Sequence, residues 1–385
     1  MDFYLTKYLS IVRSMLLNAH SIDNIGLLHG KMGVAIQFYH LTRKTTNPAF
    51  EIVAGELVDD VVSHLSSNTS IDFESGLAGI GWGIEYLLHN CFLEAENSDE
   101  ILEEMDEQIF KFFLQNTPRE VGLLDGVVGP GVYFLNRIKN SLVNSTSSIF
   151  KTNRIALQQI CNHVSLILPE MLHALREPRR VPDDSVEMQN FRITDLVKFD
   201  ITWTLPVLIV FLAKVIELDI NVSENIFVML LDECITCEPV LQCNKLLLLL
   251  ALEELKSGIQ SAKNLNIFLL NQKIVVSRFS LLNNLNEEEY RDELNKLDFS
   301  LRNGVPGIAI VIFCLERRIE NIAFFKKYME YAKKYIDLNL VERIDLECIN
   351  VFSKSNMKKF GILEGVAGLL LFVFFDSDVI FDSND

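Results

Sequence analysis

GLLHGKMGVA, residues Gly26 to Ala35, decides the fold because the chain writes it again. Variants follow as SGLAGIGWG from Ser75, GLLDGVVGPG from Gly122, LRNGVPGIA from Leu301 and GILEGVAGL from Gly361. Aligned on a shared G-x-x-G core, the pairs are Gly30 with Gly33, Gly76 with Gly79, Gly126 with Gly129, Gly304 with Gly307 and Gly365 with Gly368. The first glycines are 46, 50 and 61 residues apart within the two clusters, and 178 residues separate Gly126 from Gly304. That gap has room for two decayed copies, DITWTLPVLIVFLAK with Thr204 at the first Gly position and QCNKLLLLLALEEL with Lys245 there. Internal periodicity of this length is the mark of a helical repeat.

Each core is followed by an apolar stretch such as VAIQFYHL or IAIVIFCLE, which reads as a buried inner helix beginning at the glycines. Between cores lie amphipathic stretches, DEILEEMDEQIFKFFLQN from Asp99 and NIAFFKKYMEYAKKYIDL from Asn321, with apolar residues three to four apart and charges opposite. These read as outer helices. About seven inner and outer pairs fill the 385 residues, so the expected fold is an all-α, α/α toroid forming one domain over 1–385. A polar, proline-bearing stretch, REPRRVPDDSVEMQN from Arg176, predicts a surface loop insertion around 176–192.

Composition limits the function classes. Hydrophobic residues make up 49% of the chain and charged ones 23%, which supports an extensive core. The net charge of −17 disfavours nucleic acid and anionic membrane surfaces. The longest uncharged apolar run, Ile201 to Ala213, is 13 residues, against about 20 needed to cross a bilayer. No signal-peptide pattern opens the sequence, so a cytoplasmic location is expected. The seven cysteines, an odd number in apolar surroundings, read as reduced thiols.

If the inner helices of a toroid start at one end, their unpaired N–H groups converge there and favour anions or thiolates. The residue before each first Gly position is His29, Ser75, Asp125, Trp203, Asn244, Asn303 and Glu364. These polar side chains either cap their helices or line a site. The central candidates are His29, Asp125, Trp203, Arg302, Asn303 and Glu364.

The repeated glycine phrases and their number resemble the lanthionine synthetase cyclase (LanC-like) family of lanthipeptide biosynthesis. The resemblance implies an α/α toroid that binds one zinc ion through a cysteine and an adjacent Cys-His pair. In that family the zinc activates a substrate cysteine thiolate for addition to a dehydroamino acid, closing a thioether ring. It further implies a ribosomal precursor peptide and a peptide-modifying enzyme as partners. Here Arg302 and Asn303 stand where the Cys-His pair belongs, Trp203 stands in place of the fourth-core histidine, and Cys243 alone matches a ligand position. Arginine is always cationic and repels a metal ion. The expectation is a zinc-free relative, either a variant cyclase or a non-catalytic peptide-holding subunit (a pseudoenzyme), with Arg302 pairing Asp125 or Glu364 in place of the metal's charge.

Two other readings stay open. Cys234, Cys237 and Cys243 form C-x-x-C plus a third cysteine, half of a zinc site with no second half. Asp125 and Glu364 could serve as the paired carboxylates of an α/α-toroid glycosidase if they stood about 5–10 Å apart, with Trp82 and Trp203 as sugar platforms.

Overall fold

The computed structural model describes residues 12–336 apart from 14, 95–97, 117, 141–147, 177–197, 237, 263–264 and 320–322. Among the described residues the chain is helical, with a single isolated bridge between Asp298 and Gly304 as its only extended pairing. Inner helices are α1 (Lys31–Thr45), α3 (Leu77–His89), α5 (Val128–Asn140), α7 (Thr204–Glu217), α9 (Gln242–Ser261) and α12 (Val305–Arg318). They alternate with outer helices α2 (Pro48–Ser63), α4 (Ser98–Gln115), α6 (Ser148–Arg176), α8 (Glu224–Thr236), α10 (Ile267–Asn283) and α13 (323–336). A short α11 (Glu287–Leu294) follows α10. The repeat after Gly365 and most of the expected 176–192 loop lie outside the described residues; α6 runs as far as Arg176.

The inner and outer helices differ as their sequences dictate. Every residue from Lys31 to Leu41 in α1 is buried. In α2, by contrast, Phe50, Ala54, Leu57, Val58 and Val61 form one buried stripe of helical period. Outer helices start conventionally: Asn47 accepts from the Ala49 N–H with Pro48 at the first position, and Asn266 accepts from Leu269.

Inner helices start differently. In four repeats the N–H just after the first Gly donates to the carbonyl seven residues earlier: Lys31 to Asn24 at 2.9 Å, Leu77 to Ser70 at 2.7 Å, Val127 to Glu120 at 3.0 Å and Val305 to Asp298 at 2.9 Å. This bond closes a compact loop and draws its backbone against the glycine Cα. A Cβ on Gly30 would lie 2.5 Å from the Asn24 carbonyl oxygen, and one on Gly76 would lie 2.3 Å from that of Ser70. No described glycine has positive φ, so these glycines are required for room rather than for handedness.

The chain divides into two compact units, one of Met1–Phe112, Asp298–Ile310 and Met329–Asp385, the other of Phe113–Leu297 and Val311–Tyr328. In the first, α1 packs on α2 and α3, and the His40 Nε2 meets the Tyr86 hydroxyl at 2.8 Å. Burial, aided by Arg43 and Lys44, lowers the His40 pKa to about 4. In the second, α7 and α9 approach closely at Gly258, where a Cβ would meet the Ala213 carbonyl oxygen at 2.7 Å. Glu254, near the C-terminal end of α9, pairs with Lys214 at 3.0 Å and Arg318 at 2.5 Å, while Glu253 pairs with Arg278. Removing either carboxylate's partners would strand a buried charge, so this network fastens α7, α10 and α12 onto α9.

Two outcomes follow from this packing. Gly76→Ala should destabilise the chain by about 2–3 kcal/mol through backbone overlap, whereas Gly55→Ala, with only the Tyr39 hydroxyl 3.8 Å away inside α2, should stabilise it by about 0.5–1 kcal/mol; urea unfolding of both variants checks the contrast. His40 is neutral when folded and takes up a proton when unfolded, so stability should fall as pH drops from about 6.5 towards 4, by about 3 kcal/mol. His40→Gln should flatten that segment of the stability–pH curve.

Candidate functional site

The loops before the glycine cores carry the candidate side chains, and the structure positions them one unit at a time. In the first unit the loop of residues 24–30 rests on that of residues 70–76. Asn24 Nδ2 donates to Ser75 Oγ at 3.0 Å, the Leu28 N–H donates to the Glu74 carbonyl at 3.0 Å, and a Cβ on Gly26 would overlap the Ser75 backbone. His29 is buried there with its Nε2 3.0 Å from Glu74 Oε1, a carboxylate that turns the imidazole into an oriented donor. Arg302 and Asn303 lie half-buried in the loop before α12, and the Asn303 N–H donates to Ser300 Oγ at 3.0 Å.

Capping by the residue before the glycine is not what the structure shows. Gly30 and Gly76 themselves are the N-cap residues and make no side-chain cap bond. The donors are satisfied from upstream instead: Asp72 Oδ1 accepts from the Ser75 and Gly76 N–H groups, Asn24 Oδ1 from Gly26, and Asp298 Oδ1 from Ser300. These acceptors were legible as D-x-[ST] and related turns, at Asp200-Ile-Thr202 and Asp298-Phe-Ser300 for example, and the alignment on glycine alone passed over them.

In the second unit Asp125 is exposed and Trp203 is buried, serving as N-cap of α7 without a side-chain cap bond. Its N–H donates to the Asp200 carbonyl, and Asp200 Oδ1 accepts from both the N–H and the hydroxyl of Thr202. The fifth repeat departs further from expectation. Helix α9 begins at Gln242, so Lys245 is already inside the helix instead of at its start. Its first turn is capped from a distance: Glu293, on α11, accepts the Gln242 N–H at 2.7 Å and the Cys243 N–H at 3.0 Å, one on each carboxylate oxygen. The Gln242 side chain completes the clasp, donating to Glu289 and accepting from the Asn286 N–H at 2.9 Å. Lys245 Nζ adds a bond to the Asn284 carbonyl at 3.0 Å. Beneath this clasp Tyr290 and Tyr328 stack with centroids 4.3 Å apart.

Cys243 is fully buried inside this arrangement. Desolvation first, and then the charge and hydrogen bond of Glu293, hold its thiol pKa well above the ordinary value, so the sulfur stays protonated. Asn244 beside it is also fully buried, and its carboxamide atoms have no hydrogen-bond partner. Of the other cysteines, Cys161 and Cys234 are buried, Cys91 is exposed, and Cys237 lies outside the described residues, as does Glu364. Trp82 stacks on Tyr86 at 5.3 Å between aromatic neighbours. Among the described residues no three His, Cys, Asp or Glu side chains gather as a metal-holding group. No described helix is long and apolar enough to cross a membrane.

Paired inner and outer helices, with inner helices launched from glycine loops, define an α/α-toroid protein. A solved structure of nisin cyclase matches over 93% of this chain and 90% of its own, with TM-score 0.56 and 15% sequence identity, which establishes the fold. Residues 21–180 match the family model described as lanthionine synthetase C-like protein. The chain is thus similar to the LanC-like family in sequence across that segment, and it shares the nisin cyclase fold across nearly all its length. No curated protein matches it in sequence.

The clasp on α9 yields a stability test. Glu293→Ala removes both acceptors from a buried helix start and should cost about 2–4 kcal/mol, while Asp292→Ala, exposed on the same helix, should change stability by less than about 0.5 kcal/mol. Chemical denaturation at neutral pH compares them.

Proposed function

We propose that this chain serves in the maturation of a ribosomal, lanthipeptide-type precursor as a zinc-free peptide-binding subunit that does not itself close thioether rings. The observation that carries this reading is the surroundings of Cys243. A catalytic zinc needs three anionic or imidazole donors and an open fourth position. The carboxylate beside buried Cys243 is already committed to two backbone N–H groups, and among the described residues no three His, Cys, Asp or Glu side chains gather there. Arg302 supplies only N–H donors to a site that would need acceptors. These residues do not fit a zinc ion.

What remains suited to a peptide in the first unit is the pair of loops before α1 and α3, with His29 and Glu74 offering polar groups. The proposed partner enzyme is the one that dehydrates the peptide's serines and threonines.

Elemental mass spectrometry of the dialysed, untagged protein should find far less than one zinc per chain, and Cys243→Ala should leave that figure and the folded state unchanged. A peptide carrying one dehydrobutyrine and one cysteine, incubated with the protein, should keep its free thiol by titration. About one zinc per chain that disappears in Cys243→Ala, or thiol loss that depends on Cys243, would overturn the reading.

A further inference from the structure

Asn244 stands in the first turn of α9, is fully buried, and has a carboxamide whose Oδ1 and Nδ2 both lack a hydrogen-bond partner. Buried polar atoms in folded proteins almost always find one, either in the chain or in ordered water. The backbone of the same residue adds a further unmet group. Around it the Gln242 and Cys243 N–H groups donate to Glu293, and the Lys245 N–H donates to the Leu241 carbonyl. The Asn244 N–H between them is one of the donors that a helix cannot pair within itself, and it makes no bond to the described residues. One enclosed residue thus presents donors on two nitrogens and an acceptor on one oxygen.

Charge selects what can meet them. An anion would sit beside the Glu293 carboxylate, which already holds the two neighbouring N–H groups, and like charges so close repel. A cation would face N–H donors at the positive end of the α9 dipole. An apolar group would leave all three atoms unmet. A small neutral molecule that both accepts and donates satisfies the backbone N–H and the carboxamide together. Water has that chemistry, and its ordinary buried sites offer about two to four polar partners, as this one does.

We propose that the start of α9 holds an ordered internal water, bonded to Asn244 through its backbone N–H and its carboxamide. The clasp is then complete: Glu293 takes two of the free N–H groups of the first turn, and the water takes the third. Asn244 is the positioning residue for that water, and its polar side chain is retained in an apolar interior because the water binds it.

A high-resolution crystal structure of the full chain should show a peak that refines as water within about 3.2 Å of both the Asn244 backbone nitrogen and one of its carboxamide atoms, and the peak should recur in a second crystal form. An Asn244 carboxamide bonded directly to protein, a site without density, or density that refines as an ion overturns the proposal. Asn244→Leu keeps the branching of the side chain and removes its polar atoms. It should lose the peak and unfold at a lower urea concentration than the wild type, since the water's partners are gone. A carboxamide that had no partner would give the opposite result, because replacing it with an apolar group of like shape relieves a penalty. An Asn244→Leu midpoint at or above that of the wild type therefore also overturns the proposal.

Discussion

The hydrogen bond from the residue after the first glycine to the carbonyl seven positions earlier is the constraint on which the rest depends. It occurs at Lys31, Leu77, Val127 and Val305, and each time it presses a carbonyl-bearing backbone against a glycine Cα. An inner helix enters a crowded interior, where an unpaired N–H costs about as much as a lost hydrogen bond. Solving that with a side chain on the cap residue would need space that the loop itself occupies. The loop supplies its own acceptor, and glycine is the residue that leaves room for it.

The same constraint explains where the repeats decay. Thr204 replaces the glycine in the fourth, and there the helix start rests on an Asp200 turn in place of the seven-residue closure. In the fifth, Lys245 replaces it, the helix begins four residues sooner relative to that position, and α11 supplies acceptors through Glu293. Once the donors have another partner, the glycine is free to change. The family match over residues 21–180 spans the first three repeats, which keep the loop, and ends before the two that have lost it.

The all-helical fold was legible because two independent signals agreed: glycine pairs at repeat spacing, and alternation between uniformly apolar and amphipathic stretches. The manner of inner-helix capping was less so, since Ser75 or Asp125 beside a glycine looks like a cap in sequence, whereas the acceptors are backbone carbonyls seven residues upstream at Asn24, Ser70, Glu120 and Asp298. Glu293 carries no sequence signal at all. It lies 50 residues from Cys243, and its importance is a consequence of tertiary packing.

Cys243 shows why one matching residue says little about a metal site. A thiol becomes a ligand or nucleophile as a thiolate, which positive charge, helix N–H groups or the metal itself must stabilise. At the start of α9 those N–H groups are present, but Glu293 accepts from two of them and presents its own negative charge to the sulfur. The field that would lower the thiol's pKa is thereby cancelled, and burial raises it further. The result is a well-packed neutral side chain. Cys243 stands at the position the resemblance marks for a ligand, and in the structure it is a buried thiol facing the Glu293 carboxylate.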